Sequence, residues 1–347
     1  MGIFGTILIA ILVFGFLIFI HEFGHYIFAR IFKVTINEFS IGMGPKLLWY
    51  DSKKTGIRYA ISAVPIGGYV AMAGETEESD DPNSFDKKPA WQRFIITIAG
   101  ATVNIIAGYL AMIIFTAFVN IGSTTVYDFR ETEYTVSSSE SGLLAGDEII
   151  RVEGKRVSIA DELSYEIMRR GNKPVDITVI RDGKEVVLYD VVFPTDEEAG
   201  QTFGVMDFRV FGVKKDFGSV MKYSVAKTFL IVRMCWESVF DLITGRYTIA
   251  AVSGPVGISE AIGEAANEGA LNLLYITTLI SINLGVMNLM PIPALDGGRM
   301  ITVLIEMITG KKVPAKIENA VNAVGLAILL GFSVFIMIKD VIQIIIG

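Results

Sequence analysis

The chain has 347 residues, 52% of them hydrophobic, with a formal net charge of −7, two histidines and one cysteine. So apolar a composition exceeds that of ordinary soluble domains, and the acidic balance with no basic stripe argues against nucleic-acid binding. Cys235 is alone, which excludes an internal disulfide and a cysteine-built zinc site, so any metal must be held by nitrogen and oxygen.

The first element is an apolar run from Ile3 to Ile20 that leads into His21-Glu22-Phe23-Gly24-His25, where both histidines lie. No Lys or Arg precedes Arg30, so the run lacks the basic start of a signal peptide, and residues 3 to about 29 read as a retained transmembrane helix. Positions i and i+4 share a helix face, which lets both imidazoles reach one metal ion. Glu22 lies about 100° around the helix, placed to act on a nearby water without being a ligand. The bland alternative is a pair of helix-face histidines bonded to neighbours. Ionisable groups at membrane depth are costly, which favours the functional reading.

Three further spans are expected at about 94–120, 271–289 and 319–338, each in an uncharged stretch long enough to cross a bilayer. The segment Arg30 to Arg93 is rich in Lys and Arg, and the short loop after Gly297 carries Arg299, Lys311, Lys312 and Lys316. Both should be cytoplasmic, which turns the termini outward and puts the histidines near the cytoplasmic end of the first helix.

Between the second and third spans, residues 125–213 read as a small α/β domain. A short helix is expected from Asp161 to Arg170 with Leu163, Ile167 and Met168 inward. A β-hairpin is expected over 177–192 around Arg181-Asp182-Gly183-Lys184. The pattern Gly142-Leu143, then Gly146-Asp147, Ile149, Val152 and Gly154 resembles a PDZ domain, a module that commonly accepts peptides as an added strand. Residues 214–250 mix Phe217, Met221, Phe229, Trp236 and Phe240 with charges. They read as an amphipathic helix on the membrane surface, or as a helix packed on the preceding domain.

The last informative element is Asn288-Leu-Met-Pro-Ile-Pro-Ala-Leu-Asp296-Gly-Gly. An Asp-Gly-Gly alone is most often a turn. Here it follows a span broken by Pro291 and Pro293, and irregular backbone at membrane depth is tolerated only where buried or lining a wet cavity. A catalytic zinc usually takes three protein ligands, and with no third histidine a carboxylate such as Asp296 must complete the set.

The histidine motif behind a hydrophobic helix, paired with the Asn288 to Gly298 segment, resembles the site-2 protease family of intramembrane zinc metalloproteases. The resemblance is closest to bacterial regulators of sigma-factor signalling that carry a PDZ domain. Phe39-Ser-Ile-Gly-Met-Gly-Pro-Lys46, Val64-Pro-Ile-Gly-Gly-Tyr-Val70 and Ser253-Gly-Pro-Val-Gly-Ile258 agree in order along the chain. The resemblance implies one zinc held by His21, His25 and Asp296, Glu22 as general base, and Asn288 holding substrate backbone. It also implies a membrane-dipping β-hairpin at about 57–72. Its strands, Tyr59 to Ala63 and Gly68 to Met72 around Gly67, offer an unwound substrate new backbone partners, with Gly67, Gly68 and Tyr69 as contacts. An ordinary solvent-side hairpin is the alternative, given Lys53, Lys54 and Arg58 beside it. Two departures stand out: Gly100-Ala101 replaces a Gly-Pro common among relatives, and the nearest carboxylate-binding loop, Phe203-Gly204-Val205-Met206, is not of the G-L-G-F type.

The expected fold is thus a polytopic membrane protein with four transmembrane helices, a membrane-associated hairpin and one inserted α/β PDZ-like domain. Residues 1–120 and 251–347 form its membrane parts. The expected activity is cleavage within or near transmembrane segments of single-pass proteins in a bacterial inner membrane. Anti-sigma factors or remnant signal peptides, already cut by a site-1 protease, are the implied substrates. A metal-ion carrier would show internal repeats, which are absent from the sequence, and a PDZ-bearing scaffold would have no need of Glu22 beside two histidines.

Overall fold

A computed structural model describes residues 2–130, 136–198, 200–246 and 252–346. In chain order the elements are α1 (Ile3–Ile31), β1 (Ile36–Asp51), β2 (Arg58–Met72), α2 (Ala90–Phe118), β3 (Gly122–Phe129), β4 (Glu148–Val152), β5 (Lys155–Arg156) and α3 (Ala160–Arg170). They continue with β6 (Val175–Arg181), β7 (Lys184–Val191), β8 (Thr195–Glu198), β9 (Gln201–Gly204), β10 (Phe208–Gly212) and α4 (Phe217–Ile243). The chain closes with α5 (Pro255–Glu268), α6 (Ala270–Leu289), α7 (Asp296–Thr309) and α8 (Ala315–Ile346). Two compact units result, one of residues 1–111 with 252–347 and one of residues 112–251.

In the first unit, α1, α2, α6 and α8 as far as Asp340 are long and apolar enough to cross a membrane. The chain is a multi-pass membrane protein. Helix α2 begins at Ala90, four residues before the expected Phe94. Two helices were not foreseen. Gly254 and Pro255 start α5, with proline at the first turn where its missing N–H costs nothing. The Asp340 carboxylate accepts from Gly254 N at 2.8 Å and Gly257 N at 3.2 Å, placing a negative charge at the positive end of α5. Asp296 opens α7 rather than lying in a turn.

The expected hairpin over 57–72 needs correction. Its two strands do not close on each other; both pair with β1, whose existence the sequence reading missed. Residues Glu38 to Ile41 of β1 pair with Ala71 to Gly68 on one side and with Arg58 to Ile61 on the other, while Lys46 to Asp51 pair back with Ser62 to Arg58. The result is a curled sheet whose Gly68–Met72 segment carries no further strand on its outer side among the described residues. Val34, Ile36, Phe39, Ile57, Val70 and Phe85 pack with Ala29 of α1 and Ile96 of α2 beneath it. Met43, Leu47, Leu48, Trp49 and Tyr50 remain exposed at its far end. Burial alone would raise the Glu38 carboxyl, but hydrogen bonds from Lys46 and Tyr69 outweigh it and hold that group below the ordinary range.

The second unit is an antiparallel sheet in the order β10-β3-β4-β6-β7, with β5 on β4 and β8 paired with β9. Its core gathers Val126, Leu143, Ile149, Ile177, Val179 and Phe208 from the sheet side with Leu163 and Ile167 of α3. Within α3, Met168 is only half-buried, and Tyr165 and Glu166 are buried instead. Asp216 and Ser219 cap α4 reciprocally. Charged groups on α4 face α3: Lys227 meets Asp161 at 2.9 Å, Arg233 meets Glu166 at 2.6 Å, and Arg169 grips Asp241 through both amino nitrogens. The other side of α4 exposes Phe217, Val225, Phe229, Trp236, Phe240 and Ile243 in one stripe.

Candidate metal centre

On α1, Leu17, His21, Gly24 and His25 are buried together, as the i, i+4 spacing dictates. The two Nε2 atoms face each other at 3.2 Å. For both Nε2 atoms to present lone pairs to that gap, each neutral ring must carry its proton on Nδ1, so the partner of Nδ1 decides the tautomer. His25 Nδ1 donates to the Ile96 carbonyl of α2 at 2.8 Å, which leaves its Nε2 with a free lone pair. His21 Nδ1 lies 3.4 Å from the amide nitrogen of Asn104, also on α2, while Asn104 Oδ1 is buried without a partner. A half-turn of that amide supplies the acceptor that His21 Nδ1–H needs and satisfies the orphaned oxygen. Both histidines are then oriented by α2, with both Nε2 lone pairs converging.

The third donor arrives from the far end of the sequence. Asp296 Oδ2 lies 3.1 Å from His21 Nε2 and 3.3 Å from His25 Nε2. The three donor atoms fall within 4.8 Å of one another, the only His, Cys, Asp or Glu grouping of this kind among the described residues. Asp296 is brought there by a cramped turn. Pro291 and Pro293 stop α6 from continuing, and Ala294 adopts a left-handed φ of 72°. A Cβ at Gly297 would overlap the Met290 carbonyl, and one at Gly298 would stand 2.7 Å from Ile292 O. The two glycines after Asp296 are therefore required by packing against that turn.

Helix α2 can lie so close because Gly24 and Gly100 form the crossing point. A Cβ at Gly24 would stand 2.7 Å from Ala99 O, and one at Gly100 would collide with His25 Nε2. The Gly100-Ala101 pair that departs from Gly-Pro thus still gives a close approach, with Ala101 fully buried.

A cavity of about 390 Å³ opens on the three donors. Glu22, Tyr69 and Thr97 line it, as do Val70, Ala71 and Met72 of β2. Gly68 packs directly on Glu22, since a Cβ there would lie 3.0 Å from Glu22 Cγ. Gly67 and Asn288 are not among the lining residues; Asn288 sits in the last turn of α6. Sequence reasoning noted Gly100 and Asn104 on the second span, Asn104 at the place the resemblance expects, without assigning either to the centre, and it passed over Gly24. A polar side chain inside an apolar span was the available signal for Asn104.

The sequence pattern of peptidase family M50 matches residues 9–332. The chain belongs to that family. It is 36% identical to a protein of Clostridium acetobutylicum named "putative zinc metalloprotease", over 98% of each chain. Proteins of Fusobacterium nucleatum and Clostridium perfringens that carry the same name are 35% and 34% identical, each over 97% of this chain and 98% of theirs. This M50 chain is a zinc metalloprotease. Its converging donors fit that ion: two neutral imidazole nitrogens and one carboxylate are a set that zinc takes in catalytic sites. Asp296 Oδ2 is moreover buried with no hydrogen-bond donor of its own.

Proposed function

We propose that this protein is an intramembrane endopeptidase that hydrolyses peptide bonds within or near the transmembrane segments of single-pass membrane proteins. The observation that carries the reading is the convergence of His21, His25 and Asp296 on a helix long and apolar enough to cross a membrane, beside an unpaired sheet edge. His21, His25 and Asp296 hold the zinc. When bound, zinc supplies Lewis acidity at the scissile carbonyl and lowers the pKa of an attacking water. Glu22 takes the proton of that water and delivers it to the leaving amine.

A helical substrate has its peptide groups locked in i to i−4 hydrogen bonds and must unwind before attack. The Gly68–Met72 edge gives the unwound segment replacement backbone partners. Gly68 brings that edge against Glu22, Tyr69 lines the same cavity, Gly67 turns the strand, and Asn288 holds substrate backbone near the scissile bond. The exposed Met43 to Tyr50 end of the sheet enters the bilayer surface. The apolar stripe of α4 does the same. The second unit is PDZ-like and extracytoplasmic, and the metal centre lies toward the cytoplasmic side of a bacterial inner membrane. By the resemblance of its motifs, its substrates are anti-sigma factors or remnant signal peptides first shortened by a site-1 protease.

The test is cleavage of a transmembrane substrate in proteoliposomes, with zinc measured on the same samples. Glu22→Gln is expected to keep zinc and lose cleavage by roughly 10²- to 10⁴-fold. His21→Ala and Asp296→Ala are expected to lose both. Undiminished proteolysis by Glu22→Gln would sink the mechanism.

A further inference from the structure

The edge strand and the Asp296 helix are joined by a single side chain. The Glu75 carboxylate follows the edge strand by three residues. Its Oε2 accepts from the backbone N–H of Met72, the last residue of β2, at 3.3 Å. Its Oε1 forms a close ion pair with Arg299, one turn beyond Asp296 on α7. Arg299 also faces Glu318 of α8 at 3.7 Å, and Glu318 accepts from Thr302 Oγ1 at 3.2 Å. Asn319 donates to the Thr76 carbonyl at 3.3 Å, so the same loop is tied a second time to α8.

Glu75 and Arg299 both line the metal cavity, and both line a neighbouring cavity of about 200 Å³ bordered by Glu78, Glu306 and Lys312. Thr76 and Phe85 also line both spaces, and with them the pair stands between the two. It also ends the strand, because the carboxylate occupies the Met72 N–H.

We propose that the Glu75–Arg299 ion pair is a positioning device that sets which peptide bond of an added strand reaches the metal centre. The inference rests on the reading of Gly68–Met72 as the substrate edge. An unwound peptide adding to that edge can slide in steps of two residues, because backbone pairing and side-chain facing repeat with that period. Something must fix the strand's end relative to the metal. Glu75 holds the end of the strand, Arg299 shares a helix with Asp296, and their contact closes the loop between them. Neither residue touches the reacting atoms.

The experiment uses the full chain with Arg299→Met, Arg299→Lys and Glu75→Gln, read in three ways: zinc content, hydrogen exchange of Gly68–Met72 without substrate, and product masses from a transmembrane peptide. Arg299→Met and Glu75→Gln are expected to retain zinc. Exchange along the strand should rise about tenfold or more, since local opening follows the loss of such ties. Products should appear from bonds two residues to either side of the wild-type one. Arg299→Lys keeps the charge and is expected to restrict cleavage to the wild-type bond. Unchanged exchange in Arg299→Met would overturn the proposal, as would cleavage of one bond only in all variants, or zinc loss with Arg299→Met. A wild-type chain that cuts no transmembrane peptide would instead refute the proposed function, and exchange would still decide whether the pair holds the strand.

Discussion

A single methyl group at Gly100 should empty the metal centre. Its carbon would stand 2.9 Å from His21 Cε1 and nearer still to His25 Nε2, whereas unstrained carbon contacts lie at about 3.5 Å or more. The His21 ring would have to yield by roughly 0.6 Å, three times the tolerance of about 0.2 Å on metal–ligand distances. Helix α2 cannot simply retreat, because His25 Nδ1 is bonded to Ile96 O at 2.8 Å, one turn before Gly100. Moving the helix therefore breaks the bond that sets the His25 tautomer. Gly100→Ala is expected to lower zinc affinity by at least the roughly 10- to 100-fold seen when ligand-orienting groups are removed. The assay is zinc retention against a graded series of chelators, with Gly15→Ala as control, since a Cβ at Gly15 meets nothing within 4 Å. Wild-type zinc retention by Gly100→Ala would refute the argument that this crossing positions the histidines.

Asn104→Ala should weaken zinc binding by roughly 10- to 100-fold with the fold intact, and Asn104→Asp should recover part of it, because either oxygen accepts from His21 Nδ1–H; equilibrium dialysis checks both. Glu38 contributes stability through a carboxyl pKa held below its ordinary 4.5. That contribution is fully present above 4.5 and is lost as pH falls through the depressed folded value. Glu38→Gln should therefore be less stable than wild type at neutral pH, with the difference shrinking under acid, as read by thermal unfolding across pH. Arg169→Met leaves Asp241 buried without its bidentate partner. It should destabilise the second unit by about 3 kcal/mol, measured by hydrogen exchange of α3 and α4 in the full chain.

What the sequence made legible was local. The i, i+4 histidines and the uncharged spans need only helix geometry and counting, and both are where the spacing put them. Strand β1 escaped because Glu38 and Ser40, polar residues that suggest an outward face, are buried. They turn inward because Lys46 and Tyr69 satisfy Glu38 and Ser62 satisfies Ser40; Tyr69 and Ser62 lie on β2, and Lys46 comes from the far half of β1. Helix α7 escaped for a similar reason. Asp-Gly-Gly is a poor helix start by propensity, and only the crowding of Gly297 and Gly298 against residues 290–292 explains why nothing larger can stand there.

The spacer of the histidine motif shows the same limit from inside the site. Read as H-E-x-x-H, positions 23 and 24 are free. In the structure Gly24 is the contact on which α2 rests, and Gly100 answers it from the other helix. Helices in a bilayer gain no hydrophobic drive from meeting one another and associate through small residues that let backbones approach. A zinc site built from α1 needs α2 near enough for the Ile96 carbonyl and Asn104 to orient both imidazoles. The packing requirement and the metal requirement therefore fall on one turn of one helix. In the proposed mechanism the segment His21 to His25 supplies two donors and a base as well as the helix crossing, and a residue larger than glycine at position 24 would push α2 away, and with it the groups that orient the donors.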